Sequence, residues 1–302
     1  VVSRKKWIQL GAIALLFLLI ILGRLSGREE RFEPLRPWDG KIARLEISLP
    51  GGSNYGTGEH IIARKSGGSW TLGERQYPAD EGKLTRMADA LNNLSLEELV
   101  SSKEDLERYE LEEKSAIGVQ AFSADGLLRS IRLGKSADRG RGSYVAVDGR
   151  SGIFLVSEDL RGLFDTDMAA LRSRQIISMK KSDLLSVDVT GPGGTYRMIQ
   201  EAEGTWRISG QASAGEKEGD GLDQEKASRF IDQLISVNAA AFADEDMLQG
   251  RPAWRFILEG QQASAELSVY GLDSENENAW LCSSSESIGP FTVGSWKAEQ
   301  IM

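Results

Sequence analysis

The sequence holds one cysteine, Cys282, and one histidine, His60, in 302 residues. A single thiol excludes a disulfide within the chain, and the two together exclude a zinc cluster built from Cys and His. No G-x-S-x-G segment marks a nucleophile elbow. Positive charge is scarce: 36 Lys and Arg stand against 45 Asp and Glu, a net charge of −9. The only basic cluster near the start is Arg4, Lys5 and Lys6, and no acid precedes Glu29, so the rest of the chain is more acidic still. Such a balance argues against nucleic acid as a partner, because the phosphate backbone needs a concentrated positive surface. What remains is ordinary globular composition, 40% hydrophobic and 27% charged, at a length that suggests about two domains.

One long apolar run is present. Residues 7–23 carry no charge, and from Leu10 to Leu22 every residue except Gly11 is Ala, Ile, Leu or Phe. As a helix the run spans about 25 Å, a little less than the ~30 Å hydrocarbon core. Arg24 can snorkel outward at its far end and Trp7 can sit at the near interface. We therefore expect a cytoplasmic tail (1–6), a single transmembrane helix (7–23) and a stalk (24–40) containing Pro34 and Pro37. The positive-inside rule places Arg4, Lys5 and Lys6 in the cytoplasm and the remaining chain on the outer, periplasmic or extracytoplasmic side of the inner membrane. A cleaved signal peptide is the competing reading, with Leu25-Ser26-Gly27 as a weak cleavage site. A lipoprotein would need a cysteine just after the run, and there is none.

The rest of the chain contains itself twice, the signature of an internal repeat. Leu45-Glu46-Ile47 followed by Pro50-Gly51-Gly52 recurs as Val187-Asp188-Val189 followed by Pro192-Gly193-Gly194. Trp70 in G-S-W-T-L recurs as Trp206 in G-T-W-R-I. Lys83, Arg86, Asp89 and Leu91 recur in order as Lys226, Arg229, Asp232 and Leu234. Tyr144-Val145 corresponds to Trp280-Leu281. These matches define a first repeat domain (41–166), a linking segment (167–182) that looks helical at first, and a second repeat domain (183–302).

Within each copy the local signals agree. Residues 43–49 alternate with the period of a half-buried strand. Asp80 is a favourable cap for a helix whose apolar positions are Leu84, Met87, Ala88, Leu91 and Leu94. Asp223 caps its counterpart, with Ala227, Phe230, Ile231, Leu234 and Val237 at the same five places. Strands are expected at 119–123, 129–133, 143–147 and 152–156, with Asp125-Gly126 as the hairpin turn between the first two. The expected fold class is α+β: two tandem copies of a mostly antiparallel sheet, each packed by one main amphipathic helix, preceded by a single N-terminal transmembrane helix.

No residue set carries evident chemistry, so the sequence nominates no catalytic, cofactor-binding or metal-binding residue. His60, in an expected strand, reads as a lone surface histidine rather than a base or ligand. Cys282 reads as a small buried residue. Gly134-Lys135-Ser136 imitates the end of a phosphate-binding loop, but Arg129 stands where the motif needs glycine. Arg139 and Arg141 read as a solvated hairpin tip. Glu97, Glu98, Glu112 and Glu113 read as surface charge, although a carboxylate-based hydrolase stays open. The recurrence of Trp70, Trp206 and Trp280 points to core packing. Arg86 with Asp89, and Arg229 with Asp232, are expected as exposed i, i+3 ion pairs.

The order and spacing of several segments resemble the bacterial domain-of-unknown-function family 4340. The segments are the W-x-L strand, P-A-D-x-x-K opening a helix, Asp105-Leu106 with Tyr109, Leu133-Gly134, Tyr144-Val145, and Leu171 to Arg174 leading into the second W-R-I strand. The resemblance implies one N-terminal membrane helix and an accessory role near ABC-transporter components of the gliding-motility or auxiliary type. It implies no catalytic residues and no cofactor. The favoured expectation is a non-enzymatic, membrane-anchored extracytoplasmic accessory protein that binds a partner such as ABC transporter subunits. The alternative is an envelope polysaccharide- or lipid-binding module that uses the groove between the two repeats.

Overall fold

The computed structural model describes residues 35–38, 41–51, 58–102, 105–137, 142–202, 204–209, 222–273 and 278–302. The apolar run at 7–23, the basic cluster before it, and Arg139 and Arg141 lie outside these residues. Among the described residues no helix is long and apolar enough to cross a membrane.

The fold is α+β, with two sheets in which every described strand pair is antiparallel. The first sheet uses β1 (Arg44–Ser48), β2 (His60–Ser66), β3 (Ser69–Leu72), β4 (Tyr77–Pro78), β5 (Glu98–Ser101), β6 (Ile117–Phe122), β7 (Leu127–Ser136), β8 (Ser143–Val147) and β9 (Ile153–Val156). Their order across the sheet is β4-β3-β2-β1-β6-β7-β8-β9-β5. The second uses β10 (Leu184–Gly191), β11 (Gly194–Ala202), β12 (Thr205–Ser209), β13 (Ala241–Phe242), β14 (Trp254–Gly260), β15 (Ser264–Leu272), β16 (Ala279–Ser284) and β17 (Phe291–Gly294), in the order β12-β11-β10-β14-β15-β16-β17-β13. Strand for strand the two orders coincide, with β4 an addition to the first.

Each sheet has one long helix on one face. Helix α1 (Glu81–Asn92) starts where the Asp80 side chain accepts from the Lys83 backbone N–H, and it buries Leu84, Met87, Ala88 and Leu91. Two short helices follow the first sheet, α2 (Leu160–Phe164) and α3 (Met168–Leu171). Helix α4 (Gln224–Ile235) starts at Asp223, which accepts from Glu225 and Lys226, and buries Ala227, Ile231 and Leu234. Helix α5 (Ser295–Glu299) lies near the end of the described chain. In β1 the residues alternate, Leu45 and Ile47 buried against α1 and Glu46 facing away.

Two separate cores result. Trp70 is 1% exposed in the first and Trp206 2% in the second. The two tryptophans are held alike. The Trp70 backbone N–H donates to Glu81 Oε1 at 2.5 Å, and that of Trp206 to Gln224 Oε1 at 2.8 Å, each acceptor being the first residue of its helix. Trp280 is half-buried in β16, where it packs at the margin of the second core rather than inside it.

The expected i, i+3 pairs do not form. Arg86 Nε donates to the Gly82 carbonyl, and Arg229 pairs with Glu225 at 3.5 Å while Asp232 is held by Lys181 at 2.7 Å. Helical side chains lean toward the N-terminus, so each arginine reaches back one turn instead of forward to the aspartate.

The chain enters the first sheet under tight control. Arg129, on the core-facing register of β7, donates to the Leu91 carbonyl at the end of α1, and to Arg36 O at 2.8 Å. Its guanidinium carbon lies 5.2 Å from the Trp38 ring centroid, and the Trp38 N–H donates to Asn92 Oδ1 at 2.8 Å. A buried cation thus supplies the carbonyls that a helix C-terminus leaves over, and fixes residues 36–38 in the process.

Candidate functional site

The linking segment joins the two sheets by backbone pairing on both sides. Ala79 and Arg172 form an antiparallel bridge, and Gln175 and Asn238 form another. Ser173 N–H donates to Pro78 O at 2.8 Å, and Ala239 N–H to Arg174 O at 2.9 Å. Lys83 Nζ caps Ala170 O at 2.6 Å on the first side, and Ser284 Oγ reaches Ile176 O at 3.1 Å on the second.

Arg172 occupies the middle of this junction. Its guanidinium carbon lies 4.0 Å from the Tyr77 ring centroid and 3.4 Å from that of Phe242, and Nη2 donates to Ile288 O at 2.7 Å. Burial pushes this guanidinium below its ordinary value, with Tyr77 opposing the shift. A cation between two aromatic faces, one from each sheet, is a desolvated cation–π sandwich. Nearby, Arg75, in the turn between β3 and β4, meets Glu245, three residues after β13, at 2.6 Å, both side chains more than half exposed. Glu59 accepts from Met168 N–H at 3.3 Å, and burial raises its pKa.

His60 stands on the open face of the first sheet, in β2. Its Nδ1 is 2.9 Å from Ser48 Oγ, directly across the ladder, and its Nε2 is 3.9 Å from Glu46 Oε2. The three residue types are those of a hydrolase triad, but the carboxylate is beyond hydrogen-bond length and the histidine side chain is 49% exposed. The period-2 pattern of β1 already puts Glu46 and Ser48 on one face; only the pairing register brings His60 opposite them.

The other residues weighed in the sequence lie apart from one another. Cys282 is buried in β16, its thiol 3.5 Å from Trp280 O and pushed up to about 12 by burial. Gly134-Lys135-Ser136 is the end of β7, not a loop before a helix. A Cβ at Gly134 would run into the Tyr109 carbonyl, which accepts from Lys135 N–H at 3.0 Å. Glu97, Glu98 and Glu113 are exposed, and Glu112 pairs with Lys114 at 2.8 Å. Among the described residues no three of His, Cys, Asp and Glu gather as a metal site.

A feature that sequence reading missed is an open groove of about 460 Å³ where the chain enters β1, lined by Ala43, Arg44, Arg64, Lys65, Phe122 and the turn at 123–126. Arg44 stands on β1 and Arg64 with Lys65 on β2, so only the strand register brings Arg44 to the other two.

No curated protein and no solved structure matches the chain. A family model does match, over residues 70–275, from the first buried tryptophan to beyond β15. The match spans both sheets and about two thirds of the chain, and the chain therefore belongs to the family described as Domain of unknown function (DUF4340).

Proposed function

We propose that the chain is a non-enzymatic accessory protein, held to the inner membrane by residues 7–23, whose two sheets bind a partner protein on the outer side. Subunits of an ABC transporter are the partner class. The observation that carries this reading is the junction. The linking segment pairs with both sheets and Arg172 is clamped between Tyr77 and Phe242, so the two copies form one platform of fixed geometry. A binding surface assembled from two units gains from such fixing, because less freedom is lost on association. The accessory role is what the family resemblance implies, and the family's description supplies neither a partner nor a reaction.

The alternative of a polysaccharide or lipid ligand between the copies finds less support. Tyr77 and Phe242, the aromatic residues there, already stack on Arg172.

The test is a pull-down from native membranes in mild detergent, with the full-length chain beside a form lacking residues 1–27. Recovery of permease or ATPase subunits is expected with the full-length chain. Failure to recover any specific protein, from cross-linked as well as untreated membranes, removes the partner reading. Alkaline carbonate washing tests the anchor separately, and release of a shortened soluble species would refute it.

A further inference from the structure

The groove at the start of β1 differs between the two copies in a way that fold alone does not require. Arg44 pairs across the ladder with Arg64 on one side and Phe122 on the other. In the second sheet the matching register position is Ser186, paired with Ile199 and Glu259. Lys65 corresponds to Gln200. At these three register positions the first copy carries cations and the second none, with Glu259 added, while the nearest cation of the second copy, Arg197, comes from another position and bonds Ser186 Oγ at 2.9 Å. Each copy is a control for its twin: these cations are not needed to build the sheet.

Their arrangement suits an oxyanion. Arg44 lies 4.0 Å over the Phe122 ring and is 3.0 Å from Glu46, so its charge is partly balanced. Arg64 bonds only weakly, to Gly73 O at 3.3 Å, and Lys65 lies 5.3 Å over the Trp70 ring. Neither has a carboxylate partner within salt-bridge distance among the described residues. Asp125 on the rim is the one acid lining the groove. Arg44 and Arg64 are paired across the ladder and share the open face, two planar guanidinium groups suited to phosphate, while Lys65, one residue on in β2, points to the Trp70 face and adds charge from the other side of the strand.

The location narrows the source of the phosphate. Ala43, the residue through which the chain arrives from its N-terminal part, lines the groove, and Leu127, next to the turn at 123–126, is 54% exposed. Cations beside an exposed leucine, at the end where residues 41–43 lead into β1, match the boundary between head groups and acyl chains. We infer that Arg44 and Arg64 bind the phosphate of an anionic phospholipid head group, with Lys65 adding attraction at longer range, and so seat the first sheet against the membrane. This rests on the membrane-anchored reading for its orientation, though binding itself does not depend on residues 7–23.

The test is calorimetric titration of the full-length chain in non-ionic detergent with dihexanoyl phosphatidylglycerol below its micelle concentration, beside inorganic phosphate. The lipid is expected to bind more tightly than phosphate, with an affinity that falls as salt is raised. Arg64→Gln with Lys65→Gln should weaken it about tenfold, and Asp125→Asn should strengthen it two- to threefold, in keeping with the weight of charge-assisted bonds. Gln200→Ala, in the matching position of the second sheet, should change nothing. Absence of lipid binding, equal binding by the double variant, or equal loss in Gln200→Ala overturns the assignment. Phosphate binding as tightly as the lipid overturns the lipid as ligand. An anchor that fails carbonate washing while the titration succeeds removes the orientation and leaves the site.

Discussion

Arg172 and Phe242 meet across the junction between the two sheets, guanidinium carbon to ring centroid at 3.4 Å. The contact joins a linking segment to a two-residue edge strand, and the Tyr77 ring on the other side completes it. Replacement by alanine removes two desolvated cation–π contacts and the bond to Ile288 O. Arg172→Ala should cost about 2–3 kcal/mol and broaden the distance distribution between spin labels on the two sheets. An unchanged distribution would show that the backbone bridges alone hold the junction.

The first residues of the two long helices make a sharper comparison. Glu81 only accepts, from Trp70 N–H, as a carboxylate does, and Ala79 N–H serves the Trp70 carbonyl instead. Gln224 both accepts from Trp206 N–H and donates to Trp206 O at 2.9 Å. Gln224→Glu should therefore leave the Trp206 carbonyl without that donor and cost about 1–2 kcal/mol in urea unfolding. Glu81→Gln should be close to neutral. Equal effects would contradict the assigned roles.

The Lys226 backbone N–H, joined by that of Glu225, holds the Asp223 carboxyl below its ordinary range, with burial opposing the shift. A carboxylate lowered in the folded state contributes stability that is present above its unfolded pKa and lost as pH falls through the folded value. The protection of α4 amides, measured against their intrinsic exchange rates, should thus fall below about pH 4, and that fall should be absent in Asp223→Asn.

Burial pushes the Cys282 thiol up to about 12. With almost no thiolate at pH 8 and little access, alkylation of the native protein should be at least a hundredfold slower than in denaturant. Rapid native labelling would mean that β16 opens readily.

Ser48, His60 and Glu46 share residue types with a hydrolase triad but not its geometry. An alkyl fluorophosphonate probe should leave Ser48 unmodified, as judged by intact mass. Labelling that disappears in His60→Ala would reopen the hydrolase reading.

Much of the fold follows from local pattern. The stripe at Leu84, Met87, Ala88 and Leu91 and the caps at Asp80 and Asp223 suffice for both helices, because capping and periodicity are short-range properties. The strand alternation in β1 and the Asp125-Gly126 turn are equally local. What escaped is set by register and by distant partners. Arg129 sits in phase with Ile131 and Leu133, yet nothing nearby in sequence tells which carbonyls it will serve. The clamp on Arg172 needs an aromatic ring from each sheet. The groove at Arg44 exists only once β2 and β6 flank β1. Pairing charged residues by helical spacing alone also misplaced the partners of Arg86 and Arg229, since the direction of side-chain lean decides between neighbours one turn away.

The clasp of Arg129 on residues 36–38 has a mechanical consequence. A tether that joins a body through loose chain transmits tension but no torque. Here the arriving segment is gripped by stacking on Trp38 and by bonds at Arg36 O and Asn92 Oδ1, so rotation or tilt of that segment is delivered to the end of α1 and, through the core beneath it, to the whole first sheet. Residues 36–38 are thus joined to the first sheet stiffly against twisting as well as pulling, and much of that stiffness passes through one guanidinium.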